Sequence, residues 1–325
     1  MSGLKRDWNG NAKRRDGPKT GLRQVARNAY TPMFESLRDE LDEHHDRRER
    51  IVKASRDITA LSKKIIFSLQ RVRKIESQLP ANIQAEVDFR LTEIAKLLAT
   101  LAPEVQGINR YRYARSLMCL EELVEALTFA HYLRTQTLIS HADLNPVVED
   151  LTGRGADSVA GPASEDAVMA DASDDTGKPT PPAPAMATAT ATTEPATVSL
   201  TQDDYLYGVF DLTGEMMRFA TTSTALTGTM AGSGGDGNIQ DNEAERPRTI
   251  VHDMHELGTF FEMLPVAPGN RFQWGKKLEV TRQSVQKVER LGYDRIIRGS
   301  ERPKGWIPDL SVGGDPAGGQ EDELE

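Results

Sequence analysis

From Met33 to Leu79 the chain contains neither proline nor glycine. Reading every third and fourth residue in turn gives Phe34, Leu37, Leu41, His44, Arg48, Ile51, Ser55, Ile58, Ser62, Ile65, Leu69, Val72, Glu76 and Leu79. Nine of these fourteen are apolar, the period of a helix with one buried stripe. The pattern predicts one helix over Thr31–Leu79, up to about 70 Å long at 1.5 Å per residue. A stripe of that length exceeds what a small monomer covers, so part of it is expected to pack against another subunit.

The remaining periodic segments are also helical. Helices are predicted over Ile83–Leu101, Pro103–Ser140, Thr201–Thr222, Arg246–Leu264 and Trp274–Arg298. The fourth opens with T-Q-D-D, a capping box in which Asp204 has a purely structural role. No useful stretch alternates with period two. The fold class is therefore all-α, a bundle of six or seven helices with a very long first helix and interrupting disordered segments.

Charge separates those interruptions from the domain. The chain is −9 overall, but residues 1–30 carry eight Lys/Arg against two Asp. Residues 147–199 carry nine acids against two bases, and the tail beyond Gly313 has acids only. The 147–199 stretch is rich in Ala, Thr, Pro and Asp, and 226–245 is glycine-rich; both lack an apolar period and read as disordered insertions. The expected organisation is a basic arm over 1–30, one helical domain over 31–304 broken by these insertions, and an acidic tail over 305–325.

A single cysteine, Cys119, excludes an internal disulfide and a cysteine-based zinc site. No apolar run is long enough to span a membrane, and the charged N-terminus has no signal-peptide core. An intracellular protein is expected, cytoplasmic and, given the basic arm, nuclear, with no membrane contact. P-loop, nucleophile-elbow and dinucleotide motifs are absent. Cys119 lies in an apolar helical segment and reads as core.

Two helices carry paired acids on one face. Glu122 and Glu125 are three apart in MCLEELVEALTFAHYL, and Asp211 and Glu215 are four apart in DDYLYGVFDLTGEMMRFA. Glu121 is read as pointing elsewhere. Gly208, on the Asp211/Glu215 face, costs about 1 kcal/mol against alanine in a helix, which suggests that something approaches it closely. Four carboxylates from two helices form a hard oxygen site suited to Mg²⁺ or Mn²⁺, able to activate water for phosphodiester cleavage. Acidic pairs are also common on solvated helix faces, and spacing alone leaves that reading open as the commoner one. Lys63 and Arg218, with Arg56, Lys64, Arg71, Arg73 and Lys74, offer a surface for phosphates or a simple charged exterior. His44, His45, His131, His252, Asp253 and His255 lack ligand spacing and are read as non-metal.

The segments HDRRERIVKASRDITALSKKIIF, LEELVEALTFAHYLRTQTLIS, DYLYGVFDLTGEMMR and KVERLGYDRIIRGSERPK resemble the translin family, in particular the branch that partners translin itself. The resemblance runs from about Phe34 to Lys304 and includes the E-x-x-E and D-L-T-G-E motifs. It implies an all-α fold of about seven helices and assembly with translin into a hetero-octameric shell. It also implies the role of catalytic subunit in a Mg²⁺-dependent endoribonuclease acting on small, mainly single-stranded RNA, with single-stranded DNA as a further ligand. Glu122, Glu125, Asp211 and Glu215 would then be catalytic and metal-binding, and Lys63 and Arg218 substrate-binding. The competing expectation is a noncatalytic adaptor that stabilises translin and contributes to nucleic-acid binding. A di-iron bundle is excluded because neither acidic helix carries Glu-x-x-His.

Overall fold

The computed structural model describes residues 28–159, 196–232, 248–265 and 271–298. Most of the basic arm, the acidic tail and the central parts of both insertions lie outside the described residues. The chain divides into two compact units, Met1–Arg47 and Arg48–Glu325. Among the described residues there are eight α-helices: α1 (Thr31–Leu69), α2 (Ala81–Leu101), α3 (Ile108–Arg112), α4 (Cys119–Thr135), α5 (His141–Val159), α6 (Gln202–Thr227), α7 (Ile250–Met263) and α8 (Arg271–Arg298). No strand occurs among them beyond one isolated bridge between Gly232 and Thr249. No helix among the described residues is long and apolar enough to cross a membrane.

In the first unit, α1 exposes Phe34, Leu37 and Leu41. In the second, its apolar stripe turns inward, and Ile51, Ile58, Ile65 and Leu69 are fully buried. The core there joins these to Leu98, Leu120, Leu123, Phe129, Leu212 and Met216. Each fully buried side chain of this size contributes about 1.5–3 kcal/mol relative to exposure. Helix α2 packs on α5, α4 on α6, and α8 on both α6 and α7.

Three sequence expectations are corrected. First, α1 stops at Leu69, so its length is about 58 Å. The Arg71 and Val72 amides bond to the carbonyls of Ser68 and Leu69, which tightens the last turn, and the Glu76 amide donates to the Leu133 carbonyl, 3.2 Å away. Val72 and Leu79 are still buried, so the apolar period continues after the helix has ended. Second, Pro103–Ser140 is not one helix. Pro103 lies in a 3₁₀ turn, Gly107 has φ +57°, and two short helical turns precede α4. Third, the insertion does not begin at 147. Helix α5 continues to Val159 and buries Val148, Leu151 and Thr152. Its Gly155 is a packing residue, since a β-carbon there would overlap the Ala95 carbonyl of α2. The end of the same stretch is described too, with Val198 buried.

The capping box at Thr201 forms as the sequence predicts. Asp204 accepts from the Thr201 amide at 2.7 Å while Thr201 accepts from the Asp204 amide. Asp204 is also ion-paired with the buried Arg110, which ties the α3 segment to the start of α6. At the other end, Gly228 adopts φ +70° as the left-handed cap.

Candidate acidic site

Helix α4 is buried on nearly all sides. Leu120, Leu123, Val124, Ala126, Thr128 and Phe129 each have 0 % exposure, so an acid on this helix is carried into apolar surroundings. Helix α6 crosses close to it at Gly208. A β-carbon on Gly208 would stand 2.6 Å from Val124 Cγ1 and 2.7 Å from the Glu121 carbonyl oxygen. The close approach suggested by this glycine is therefore made by the neighbouring helix.

With the helices this close, the two acidic faces converge. Glu122, Glu125, Asp211 and Glu215 line one cavity of about 570 Å³ together with Lys63 of α1, Arg218 of α6 and Lys277 of α8. Ile66, Phe67, Phe210 and Val280 supply its apolar walls. The four acids with Lys63 and Arg218 are thus brought to one place, whereas Arg56, Lys64, Arg71, Arg73 and Lys74 do not line this cavity, Arg71 being paired with Glu86 instead.

The polar contacts are specific. Lys63 Nζ lies 3.2 Å from Glu122 Oε1. Arg218 donates to Glu215 Oε1 at 2.8 Å, and Gln70 donates to Glu215 Oε2 at 2.7 Å. Gln70 reaches that acid from the turn just after α1, so the early end of the helix helps build the site. Lys277 Nζ donates to both Asp211 oxygens, at 2.7 and 2.8 Å, and lies 3.7 Å from Glu121 Oε2. Among the described residues, no hydrogen bond or ion pair reaches the Glu125 carboxyl group. Burial, with Asp211, Glu122 and Glu215 around it, pushes Glu125 up to about 8. Burial likewise raises Glu121 to about 7, with Lys277 opposing the rise and Asp211 and Asp204 adding to it.

The sequence reading missed Lys277, Gln70 and Glu121. Lys277 had a detectable signal, because it stands three residues after Trp274, on the stripe where Trp274, Thr281, Ser284 and Val288 are buried. A lysine on a buried stripe calls for an acidic partner. Glu121 shares a face with Glu125 at i, i+4, and it faces the Lys277 ammonium.

The donor set is the hard-oxygen chemistry that suits a divalent cation, and Glu125 supplies a buried carboxyl group that is unpaired among the described residues. The arrangement is nevertheless spread out: among the described residues no group of three or more His, Cys, Asp or Glu is placed to hold a metal ion. Three of the four acids are instead neutralised by Lys63, Lys277 and Arg218.

Cys119 is fully buried, and burial pushes its thiol up to about 11, as befits a core residue. Asp253 lies away from the acidic cavity, where it accepts from Tyr132, Gln136 and Arg248.

Residues 46–299 match the Translin family model. Translin-associated protein X of Rattus norvegicus is 31 % identical over 282 residues, covering 85 % of this chain and 82 % of the relative. The Translin-associated protein X homolog of Schizosaccharomyces pombe is 26 % identical over 271 residues, covering 83 % of this chain and 89 % of the relative. Among solved structures, one described as apo-NeC3PO aligns with a TM-score of 0.47 and 17 % identity over 82 % of this chain and 97 % of that chain. With a family match over most of its length and relatives of this similarity, the chain belongs to the translin family.

Proposed function

We propose that this chain is the catalytic subunit of an assembly with translin, a divalent-cation-dependent endoribonuclease that hydrolyses phosphodiester bonds of small, mainly single-stranded RNA. The observation that carries the reading is the convergence of Glu122, Glu125, Asp211 and Glu215 with Lys63 and Arg218 in one cavity. A translin partner is suggested by the names of the relatives, Translin-associated protein X.

The four carboxylates would hold Mg²⁺, with Mn²⁺ as a substitute, and the ion would supply Lewis-acid activation of water and neutralise phosphate charge. Hydrolysis adds water across one P–O bond: the water oxygen bonds to phosphorus, the bond to the leaving sugar oxygen breaks, and that oxygen takes up a proton. Lys63 and Arg218 are half to two-thirds exposed, which leaves their donors free to turn from Glu122 and Glu215 toward phosphate oxygens. Contacts of this kind orient the backbone without reading bases, so little sequence specificity follows.

The test is cleavage of single-stranded RNA by the chain co-expressed with translin, with and without Mg²⁺. Glu125→Ala, in an assembly that still forms and binds RNA, is expected to abolish cleavage, and EDTA to silence the parent assembly until Mg²⁺ or Mn²⁺ is restored. Retained cleavage in the variant overturns the assignment. One observation favours a second reading, the noncatalytic adaptor: three of the four acids are already neutralised within the chain. An adaptor cleaves RNA neither with Mg²⁺ nor without it.

A further inference from the structure

Among the described residues four cations line the acidic cavity, Lys63, Arg218, Lys276 and Lys277; Lys63, Arg218 and Lys277 pair with its acids, and these three are not equivalent. Lys63 and Arg218 are 55 % and 63 % exposed and each makes one ion pair there. Exposed pairs of that type contribute little and separate easily. Lys277 is 19 % exposed. Its ammonium is fixed by both oxygens of Asp211 at 2.7 and 2.8 Å, by the Tyr207 carbonyl at 3.4 Å and by Glu121 at 3.7 Å. It also lies 5.3 Å from the centre of the Tyr207 ring, a cation–π distance. Helix α8 is packed against α6, so the lysine is delivered by the fold rather than by a mobile surface arm.

Both Asp211 oxygens are therefore occupied by a positive group. A hard cation approaching the same carboxylate meets the ammonium at hydrogen-bond distance, and two positive charges do not share that position. We propose that Lys277 is the resident counter-ion of this cavity, a positioning residue whose ammonium neutralises Asp211 and Glu121 and against which a divalent cation must compete for Asp211. The inference rests on the reading of Asp211 as a cation ligand and adds to it the residue that sets the affinity.

The competition has a sign that a purely structural lysine does not share. Removing a structural ion pair weakens a nearby site, whereas removing a competitor strengthens it. Hydrogen bonds to a charged group are among the stronger ones, so deletion of the ammonium is expected to tighten cation binding about tenfold or more.

The experiment titrates Mn²⁺ into the full chain in its purified assembly and reads free Mn²⁺ by electron paramagnetic resonance, with thermal unfolding as a check on folding. Lys277→Met keeps the aliphatic stem and removes the charge, and Lys277→Gln is a second neutral variant should the first fail to fold. The neutral variants are expected to bind Mn²⁺ about tenfold more tightly than the parent, with Lys277→Arg close to the parent. Unchanged or weaker binding in folded neutral variants, while Asp211→Asn loses Mn²⁺, overturns the counter-ion role and leaves the cation site standing. Absence of Mn²⁺ binding from parent and neutral variants alike overturns both readings.

Discussion

Gly208 of α6 lies so close to α4 that a β-carbon would stand 2.6 Å from Cγ1 of Val124. Three residues further along α6, Asp211 enters the acidic cavity. The distance between the two acidic faces is thus set by the missing side chain at Gly208.

Gly208→Ala and Gly214→Ala are expected to have opposite effects. Alanine gains about 1 kcal/mol over glycine in a helix interior, and at Gly214 nothing lies within 4 Å of the added carbon. At Gly208 the added carbon meets Val124 and the Glu121 backbone, and overpacking of that kind costs about 1–3 kcal/mol. Thermal unfolding should show Gly214→Ala raised and Gly208→Ala lowered; a Gly208→Ala protein as stable as Gly214→Ala contradicts the close approach.

Glu125 gives a pH dependence of stability. Its folded value is pushed from an ordinary 4.5 up to about 8, so between these values the folded state holds a proton that the unfolded state has released. Stability from this group is fully present below about 4.5 and is lost as pH rises through 8. Glu125→Gln removes the loss, and its Tm is expected to exceed the parent's by a margin that widens from pH 5 to pH 8 in metal-free buffer. One kcal/mol corresponds to about 2–4 °C for a domain of this size. A margin constant with pH rules out the buried acid as its source.

Tyr132 of α4 donates to Asp253 of α7 at 2.6 Å, and Gln136 donates to the same oxygen at 3.1 Å. Burial and the neighbouring Asp253 push the Tyr132 phenol far up, so it remains a donor at every physiological pH. Tyr132→Phe leaves a 5 % exposed carboxylate short of one donor, a loss of about 1.5–3 kcal/mol for a hydrogen bond to a charged group. Hydrogen exchange should accelerate first in α7. Uniform acceleration across all helices would show that the pair does not anchor that helix in particular.

Cys119, with its thiol pushed up to about 11 by burial, is expected not to react with an aromatic disulfide reagent at pH 8 in the folded protein and to react at once in denaturant. Rapid labelling of the native chain would place this thiol at the surface.

Much of the fold was legible because helix periodicity is a local property. The stripe of α1, the capping box at Thr201 and the shared faces of Glu122/Glu125 and Asp211/Glu215 follow from residues three or four apart. Where local signals misled, the deciding contact came from elsewhere in the chain. The glycines of α5 look like loop punctuation, yet Gly155 is there because the Ala95 carbonyl of α2 approaches. The pattern through Val72 and Leu79 looks helical, yet the Glu76 amide is claimed by Leu133.

The sequence by itself determined which acids stand together on each helix, since side chains at i, i+3 and i+4 must share a face. Only the tertiary structure decided that the two faces oppose one another across a cavity and that, among the described residues, no hydrogen bond or ion pair reaches the Glu125 carboxyl group. It also decided that Asp211 is held by a lysine from α8, 66 residues away, and Glu215 by a glutamine 145 residues away. Periodicity fixes the direction of a side chain around its own helix axis, whereas the partner it meets depends on how helices distant in sequence pack, and here that packing turns on the space left by a glycine.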